Sequence, residues 1–207
     1  RGLQVEIQSP AAGHTVEDGA TVVEVEGIAS AIGGVRYLDI MFVMDTSSSL
    51  RSSDPSDYRS AGAVGLVENL SRKSDIKIGV VSFDGNSQIA QPMTSDRAAV
   101  INALRLLPRS GSTNLAAGIN AALRELERNG RPGSSRVIML FTDGQSNRRQ
   151  AHAAAVEAHG HGVTIQTLLL GANRKGTEIL DEISWATGGS LVRVEDPSML
   201  PQAFLDL

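Results

Sequence analysis

Residues 45–49 carry the side chains of this sequence that are best suited to chemistry. They read Asp-Thr-Ser-Ser-Ser and directly follow an apolar run at residues 38–44. Asp45, Ser47 and Ser49 stand at alternate positions, so one carboxylate and two hydroxyls are delivered where a predicted buried strand ends. Oxygen ligands of this kind suit a hard divalent cation such as Mg²⁺, Mn²⁺ or Ca²⁺ and do not suit zinc. The segment therefore points to a metal site.

Two later segments add another hydroxyl and another carboxylate. Thr113 lies in Gly-Ser-Thr-Asn, just ahead of a predicted helix, and Asp143 lies in Phe-Thr-Asp-Gly at the end of a further predicted strand. In an open parallel sheet, ligands gather beyond the carboxyl ends of the strands. We therefore expect the three segments, which are far apart in sequence, to meet at one place. A metal bound there by neutral hydroxyls would keep positive charge, and a carboxylate from a partner would bind to it strongly.

The elements that must position these segments alternate between strand and helix from about residue 35. Predicted strands cover residues 38–45, 76–83, 88–93, 136–141, 163–170 and 191–194. Predicted helices cover residues 54–70, 96–107, 115–128, 148–159 and 178–186, with a last short helix from residue 197. Asp54 is the expected N-cap of the first helix, and Pro92 places the third strand at an edge or an end of the sheet. This alternation predicts an α/β fold with a doubly wound, mainly parallel central sheet flanked by helices.

The first 34 residues follow a different pattern, typical of a β-hairpin or a pair of strands. Apolar residues alternate with polar ones at two places: Leu3, Val5, Ile7, Val23 and Val25. The segment resembles the opening two strands of bacterial immunoglobulin-like sandwich repeats. Because such a sandwich needs about seven strands, the pair either packs on the main domain or is completed by sequence beyond Leu207. We predict a strand pair at residues 1–34, an α/β domain at residues 35–207 and a joint at residues 31–34.

The composition narrows the classes of function. Hydrophobic residues make up 41% and charged residues 20% of the chain, which is typical of a globular protein and not of a disordered one. The net charge of -4 and the aromatic content of 3% argue against nucleic-acid binding, which depends on Lys and Arg neutralising phosphates. The absence of cysteine excludes disulfides, thiolate metal sites and cysteine nucleophiles. No apolar stretch approaches the roughly 18 to 20 residues of a membrane helix, and we expect any signal peptide or anchor to lie outside this sequence.

The three site segments resemble those of the von Willebrand factor A domain and its metal ion-dependent adhesion site. The family pattern is Asp-x-Ser-x-Ser, followed by a distant Thr and a distant Asp. Here all of these positions match: Asp45, Ser47, Ser49, Thr113 and Asp143. The likeness in hydrophobic layout extends over about residues 37–207. The sequence departs from the pattern at Ser48, where many members have Gly; this removes no ligand and is expected to stiffen the loop.

The resemblance implies a role for each matching residue. Ser47 and Ser49 would bind the metal directly, Thr113 would bind directly or through water depending on the state, and Asp45 and Asp143 would orient waters and balance charge. The cation would be Mg²⁺, Mn²⁺ or Ca²⁺, and its open position would take an Asp or Glu of a partner protein. The resemblance thus implies a cation-dependent adhesion or protein-binding module and not an enzyme. Together with the sandwich-like strands, it favours a secreted or cell-surface protein of a bacterium.

Two other functions are compatible with an Asp at the end of a first strand. A phosphohydrolase of the haloacid dehalogenase type also uses Mg²⁺ there, but it needs a second Asp two residues later as acid-base, and Ser47 occupies that position. That chemistry also favours a Lys that steadies the phosphate near a later strand, and none stands out. Within the resembled family, intracellular members serve as subunits of ATP-driven chelatase or assembly machines. The sequence leaves this last function open.

Other polar and aromatic residues are assigned structural roles. His159 and His161 lie at a predicted helix end, where a histidine interacts with terminal carbonyl groups more readily than with zinc. Asp84 is expected to form an Asp-Gly turn. Arg148 is expected to be solvated at a helix start, and Trp185 is expected to be buried in the core.

Overall fold

Strands and helices alternate along most of the chain in a computed structural model. The structure describes residues 2–9, 26–32, 37–70, 75–144 and 146–206. The chain divides into two units, Arg1–Arg36 and Tyr37–Leu207. No helix in these described ranges is long and apolar enough to cross a membrane. The second unit holds every residue of the predicted metal site.

The described residues of the first unit form two antiparallel strands. Strand β1 is Gly2–Ser9 and strand β2 is Glu26–Ile32. They confirm the predicted strand pair, although β2 begins after Val23 and Val25, which lie outside the described residues. The likeness to an immunoglobulin-like sandwich and the domain division at residue 34 stay predictions.

The second unit is built on a single six-stranded sheet. Its strands are β3 Tyr37–Asp45, β4 Asp75–Phe83, β5 Ser87–Thr94, β6 Ser135–Thr142, β7 Val163–Leu170 and β8 Leu191–Val194. Their order across the sheet is β5-β4-β3-β6-β7-β8, and all neighbours are parallel except β4 and β5. The structure confirms the predicted mainly parallel sheet, and β5, which contains Pro92, lies at its edge as expected.

Helices cover both faces of this sheet. They are α1 Leu50–Ser53, α2 Tyr58–Asn69, α3 Arg97–Arg105, α4 Leu115–Asn129, α5 Arg148–Gly160, α6 Arg174–Thr187 and α7 Leu200–Leu205, with a 3₁₀ turn at Pro197–Met199. Strand β3 lies in the middle, where Met41 and Val43 pack with α4, α5 and α6 while Phe42 and Met44 pack with α2, α3 and α7. Burial on both faces explains the near-continuous apolar run that precedes Asp45.

The predicted start of the helix after β3 is wrong. Helix α2 begins at Tyr58, and residues Leu50–Ser53 form the separate short helix α1. Asp54 nevertheless acts at the start of α2, because its buried carboxylate accepts the backbone N–H groups of Tyr58 (2.8 Å) and Arg59 (3.0 Å). Asp57, directly before α2, adopts a left-handed φ of 59°. The carboxylate predicted to be the cap therefore supports the helix from outside it.

Helix α6 begins at Arg174, one turn before the predicted start at Glu178. Gly176 interrupts the helical pattern in the sequence, and the N-cap of the helix lies before this glycine. Asn173 is that cap, because its side-chain oxygen accepts the N–H of Gly176 at 3.2 Å. The other predicted bounds within the sheet domain lie within two residues of the observed ones.

The last helix, α7, packs closely on α2 and on the sheet. The ring of Phe204 lies 6.5 Å from that of Phe42 and 6.1 Å from that of Phe141, measured between centroids. On α2, a Cβ atom added to Gly62 would lie only 2.5 Å from Cδ2 of Phe204. Glycine at position 62 therefore lets the two helices approach each other.

A charged cluster holds the opposite end of β3 from Asp45. Asp39 is buried, and its Oδ1 accepts hydrogen bonds from Nε (2.9 Å) and Nη2 (2.6 Å) of Arg131. Ser134 donates to the other oxygen of Asp39 at 2.8 Å, and Arg131 also pairs with Asp75. This cluster ties β3 to β4 and to the turn before β6, at the edge of the sheet away from the predicted metal site.

Candidate metal centre

Strands β3 and β6 deliver two of the predicted site segments to the same edge of the sheet. The strands are parallel neighbours with Met44 opposite Phe141, so Asp45 and Thr142 end them side by side. Asp143 follows Thr142 directly. The carboxyl ends of these strands therefore meet as the sequence analysis predicted.

Asp45 is the most deeply buried member of the predicted set. Its side chain is fully enclosed, its Oδ1 accepts the N–H of Ser47 at 2.7 Å, and its Oδ2 accepts the hydroxyl of Thr142. Burial raises the pKa of Asp45 to about 6; the hydrogen bonds from Thr142 and Ser47 oppose that rise, and the charge of Asp143 adds to it. No Lys or Arg in the described part of the chain forms an ion pair with this carboxylate. A buried carboxylate without an ion-pair partner would be stabilised by a bound cation.

Three further oxygen-bearing side chains form a continuous row beside Asp45. The hydroxyl oxygens of Ser47 and Ser49 lie 3.0 Å apart, and Ser49 donates to Oδ1 of Asp143 at 2.8 Å. Ser53, one helical turn after Ser49, donates to the other oxygen of Asp143. The structure therefore brings together the two segments that contain Asp45 and Asp143, with the oxygens of the two serines between them.

Thr113 reaches the same place from the loop before α4. Its hydroxyl oxygen lies 3.3 Å from the position that a Cβ atom on Gly144 would occupy, so it stands next to the residue after Asp143. The N–H of Leu115 donates to the hydroxyl of Ser146 at 3.1 Å, which ties the start of α4 to the loop after β6. All of the predicted site residues are thus placed at one edge of the sheet.

Ser48 links the first loop to the loop that carries Thr113. Its backbone N–H and its hydroxyl both donate to the carbonyl of Gly111, at 3.1 Å and 3.0 Å. The N–H of Ser110 also donates to the carbonyl of Thr46 at 2.6 Å. Glycine at position 48 would lack the side-chain hydrogen bond, so Ser48 adds a contact between the two loops. The stiffening of the loop stays a prediction.

The donor set fits a hard divalent cation. Its atoms are oxygens only, from two carboxylates and three hydroxyls, and this is the ligand chemistry that Mg²⁺, Mn²⁺ and Ca²⁺ prefer. Across the described ranges there is no group of three or more His, Cys, Asp or Glu residues suited to hold a metal. The candidate set is of another type, because it combines two acids with hydroxyls.

Several contributors to this site were missed by the sequence analysis. Thr142 directly precedes Asp143 and bonds Asp45, and Ser53 follows Ser49 by four residues and bonds Asp143. Both have a signal in the sequence, since each is a hydroxyl residue at a fixed spacing from a predicted ligand. Arg59, whose guanidinium donates to the carbonyl of Asp45, has no such signal because the contact depends on how α2 folds back.

The structure also places the residues that were assigned structural roles. The side chain of Asp84 accepts the N–H of Asn86 at 2.8 Å, as expected of a turn. Arg148 at the start of α5 is exposed and pairs with Glu182, with Nε to Oε2 at 2.8 Å. The prediction for Trp185 is wrong, because its side chain is 84% exposed on the outer face of α6.

The chain belongs to the von Willebrand factor type A domain family. The sequence model of that family matches residues 40–145, just over half of the chain. Among curated proteins, a UPF0353 protein of Mycolicibacterium paratuberculosis is 28% identical over 159 residues, which cover 69% of this chain and 47% of the relative. The match therefore spans about half the length of that relative.

Solved structures of the same fold include two proteins from very different settings. The von Willebrand factor domain of the type V pili tip protein Mfa5 from Porphyromonas gingivalis has a TM-score of 0.70 and 14% identity, over 85% of this chain and 94% of that one. Proximal thread matrix protein 1 of the mussel byssus, with a zinc-occupied MIDAS motif, has a TM-score of 0.66 and 19% identity, over 83% and 46% of the two chains. At these identities the likeness shows the fold alone.

Proposed function

We propose that this chain is a divalent-cation-dependent protein-binding module of the adhesion type. Asp45, Ser47, Ser49, Thr113 and Asp143 would hold Mg²⁺, or Mn²⁺ or Ca²⁺ in its place, and a partner protein would supply an Asp or Glu carboxylate. The observation that carries the proposal is the continuous row of oxygens from Ser47 through Ser49 to Asp143, beside a buried Asp45 that has no cationic partner among the described residues.

The charges of the site explain why a partner would be acidic. The buried carboxylate of Asp45 and the partly exposed one of Asp143 stand beside neutral hydroxyls, so the direct ligands from the serines leave much of the cation's charge unbalanced. Ser48 and Ser49 are exposed, which leaves this side of the site open to another protein. A carboxylate arriving there would form a charge-assisted contact with the cation, which is stronger than a contact between neutral groups.

The arrangement favours binding over catalysis. Ser47 occupies the position where a phosphohydrolase of the haloacid dehalogenase type needs its acid-base carboxylate, and its hydroxyl lies 3.0 Å from that of Ser49. The Asp45 carboxylate accepts hydrogen bonds from Ser47 and from the hydroxyl of Thr142, and neither residue is a general base. Members of the family are mostly interaction modules without enzymatic activity. A phosphatase assay with Mg²⁺ and a generic phosphoester is expected to show no turnover; turnover that Asp45→Asn abolishes would contradict the proposal.

An extracellular location fits the proposed adhesion function. The fold is shared with the pilus tip protein Mfa5, and the sequence of the strand pair β1–β2 resembles the opening two strands of bacterial immunoglobulin-like repeats. We therefore propose that the protein is secreted or displayed at the surface of a bacterium. Detection of the native protein in surface and culture fractions of intact cells tests this; recovery from the cytosol alone would contradict it.

Calorimetric titration tests the metal site. Mg²⁺, Mn²⁺ and Ca²⁺ are titrated into the wild type and into Asp143→Ala, with Asp181→Ala as a control at an exposed acid on α6. We expect saturable binding of at least one cation to the wild type and to the control, and a loss of at least about tenfold in affinity in Asp143→Ala, the size typical for groups that support a metal. Equal behaviour of the three proteins would contradict the site assignment.

The carboxylate preference is tested with short peptides. The peptides Gly-Asp-Gly and Gly-Asn-Gly differ by one charged group, and each is titrated into labelled protein while amide chemical shifts are followed by NMR. We expect shifts in the loops of Ser49 and Thr113 with the Asp peptide in the presence of Mg²⁺, and not with the Asn peptide or with EDTA. The same shifts with both peptides, or without metal, would contradict the proposal that a partner's carboxylate binds the cation.

A further inference from the structure

Arg59 is unusual because it is the one Lys or Arg among the described residues whose side chain is buried. It is 0% exposed and ranks among the largest fully buried side chains of the protein. It lies in the first turn of α2, where most arginines extend into solvent. A guanidinium costs several kcal/mol to bury unless its N–H groups are paired. Its surroundings must therefore supply oxygens in the right places.

Three segments of chain supply those oxygens. Nη1 of Arg59 donates to the carbonyl of Asp45, Nη2 donates to the carbonyl of Pro108 at 3.1 Å, and Nε donates to the carboxylate of Asp57 at 3.0 Å. The backbone N–H of Arg59 donates to buried Asp54. One rigid side chain thus bridges the end of β3, the loop that leads to Thr113 and the turn before α2.

The partners of Arg59 are themselves held in place. Asp57 has a left-handed φ of 59°, a conformation that is uncommon outside glycine and that Asp and Asn tolerate better than most other residues. Its carboxylate also pairs with Arg109 at 3.2 Å. The carbonyl of Arg109 in turn accepts hydrogen bonds from Nε (3.0 Å) and Nη2 (2.8 Å) of Arg51, which follows Ser49 by two residues.

We propose that Arg59 is a positioning residue of the metal site and sets the spacing between its two hydroxyl-bearing loops. Ser47 and Ser49 follow the Asp45 carbonyl that Arg59 binds, and Thr113 follows the Pro108 carbonyl that it also binds. Because both carbonyls bond to one planar guanidinium, their separation is fixed by its geometry. The proposal rests on the proposed function, since it assigns Arg59 a role in binding the cation.

The test compares two matched substitutions. Arg59→Lys keeps the charge but replaces the planar fork by a single ammonium group, which cannot reach all three oxygens in the same geometry. Arg131→Lys makes the same change in the cluster at the other end of β3, where Asp39 lies six residues before Asp45 and about 20 Å away along the strand. Mg²⁺ affinity is measured by calorimetry at a temperature where circular dichroism shows both variants folded, and thermal unfolding is measured without metal.

We expect Arg59→Lys to bind Mg²⁺ about 10- to 100-fold more weakly than the wild type, the range found for groups that orient metal ligands. Arg131→Lys is expected to lower the unfolding temperature and to leave the Mg²⁺ affinity unchanged. An unchanged affinity in Arg59→Lys, or an equal loss in both variants, would overturn the proposal while the metal site itself stands. Absence of Mg²⁺, Mn²⁺ and Ca²⁺ binding to the wild type would instead overturn the proposed function.

If Arg59→Lys does not fold, Asp57→Asn takes its place. Asn tolerates the left-handed conformation, and the change removes the negative charge that faces Nε of Arg59. We expect a loss of about threefold or more in Mg²⁺ affinity, smaller than for Arg59 itself because both carbonyl contacts remain. An affinity equal to that of the wild type would overturn the proposal.

Discussion

At the scale of single residues, the environment of Asp45 determines how the site behaves. Its carboxylate is enclosed between the ends of β3 and β6, and it has hydrogen-bond donors but no cation as partner among the described residues. Burial raises the pKa of Asp45 to about 6. A group of this kind gains most from a metal, because the cation offsets the cost of burying the negative charge.

We expect Mg²⁺ affinity to fall as the pH is lowered through about 6. The cation favours the ionised form of Asp45, whose pKa lies at about 6, so protons compete with the metal below that pH. The affinity should be constant above pH 7 and about tenfold weaker at pH 5. Calorimetric titrations between pH 5 and pH 8 measure this dependence. Constant affinity over the whole range would contradict the role assigned to Asp45.

Removing the charge of Asp45 should stabilise the metal-free protein at neutral pH. Its folded-state pKa is raised above the unfolded value near 3.8, so the folded state holds the proton more tightly and stability is lost as pH rises from about 4 to about 6. Asp45→Asn should therefore increase the unfolding free energy without metal by about 1–3 kcal/mol at pH 7.5. It should also abolish the stabilisation by Mg²⁺. Urea unfolding with Mg²⁺ and with EDTA checks both effects, and a less stable metal-free variant would count against the account.

Most candidate ligands are predictable from the sequence because hydroxyl and carboxyl residues stand at fixed spacings after predicted strands. Ser53 and Thr142 are also predictable in this way, since each lies close in sequence to a candidate ligand. Arg59 does not, because its link to Asp45 depends on the path of the chain between β3 and α2. The burial predicted for Trp185 from its large apolar ring is wrong, because its position on α6 faces solvent. The buried residues of α6 include Leu180, Ile183, Ser184 and Thr187, and Trp185 lies between them on the outer face.

At the scale of elements, the loops of the site are held by contacts that the local sequence pattern does not predict. Helix α1 and the turn after it separate β3 from α2, and the sequence signals there fit a single longer helix. Asp54 explains why the predicted start of the helix is too early. A carboxylate followed by Pro55 is typical of a helix start, but the Asp54 carboxylate here accepts the N–H of Tyr58, four residues later, where α2 begins. Strand ends are predicted better, because burial on both faces leaves a clear apolar run.

The close contact between α2 and α7 predicts how substitutions on α2 change the stability of the protein. Gly62→Ala should lower the unfolding free energy by about 1–3 kcal/mol, because the new methyl group would overlap Phe204 and press on the backbone of Leu200. Gly65→Ala is the matched control on the same helix, since an added Cβ there has no atom within 4 Å and should stabilise the helix by about 0.5–1 kcal/mol. Urea denaturation of both variants measures the difference. Equal effects would contradict the packing described for α7.

At the scale of the whole molecule, strand-helix alternation was sufficient to predict the sheet domain. The doubly wound sheet follows from apolar runs separated by amphipathic helices, and the edge position of β5 follows from Pro92; its antiparallel direction does not. The order of the strands does not follow from these patterns, because it depends on contacts between residues far apart in the chain. The predicted strand residues Val23 and Val25 lie outside the described residues and stay a prediction.

Membership of the von Willebrand factor type A domain family defines the scaffold, and the proposed function depends on the site that this chain builds on it. Anomalous diffraction from crystals grown with Mn²⁺ tests that site most directly. We predict one strong anomalous peak within coordination distance of the Ser47 and Ser49 hydroxyls, with Asp45, Thr113 and Asp143 around it. An ordered site without a peak at saturating Mn²⁺, or a peak bound by other residues alone, would contradict the account.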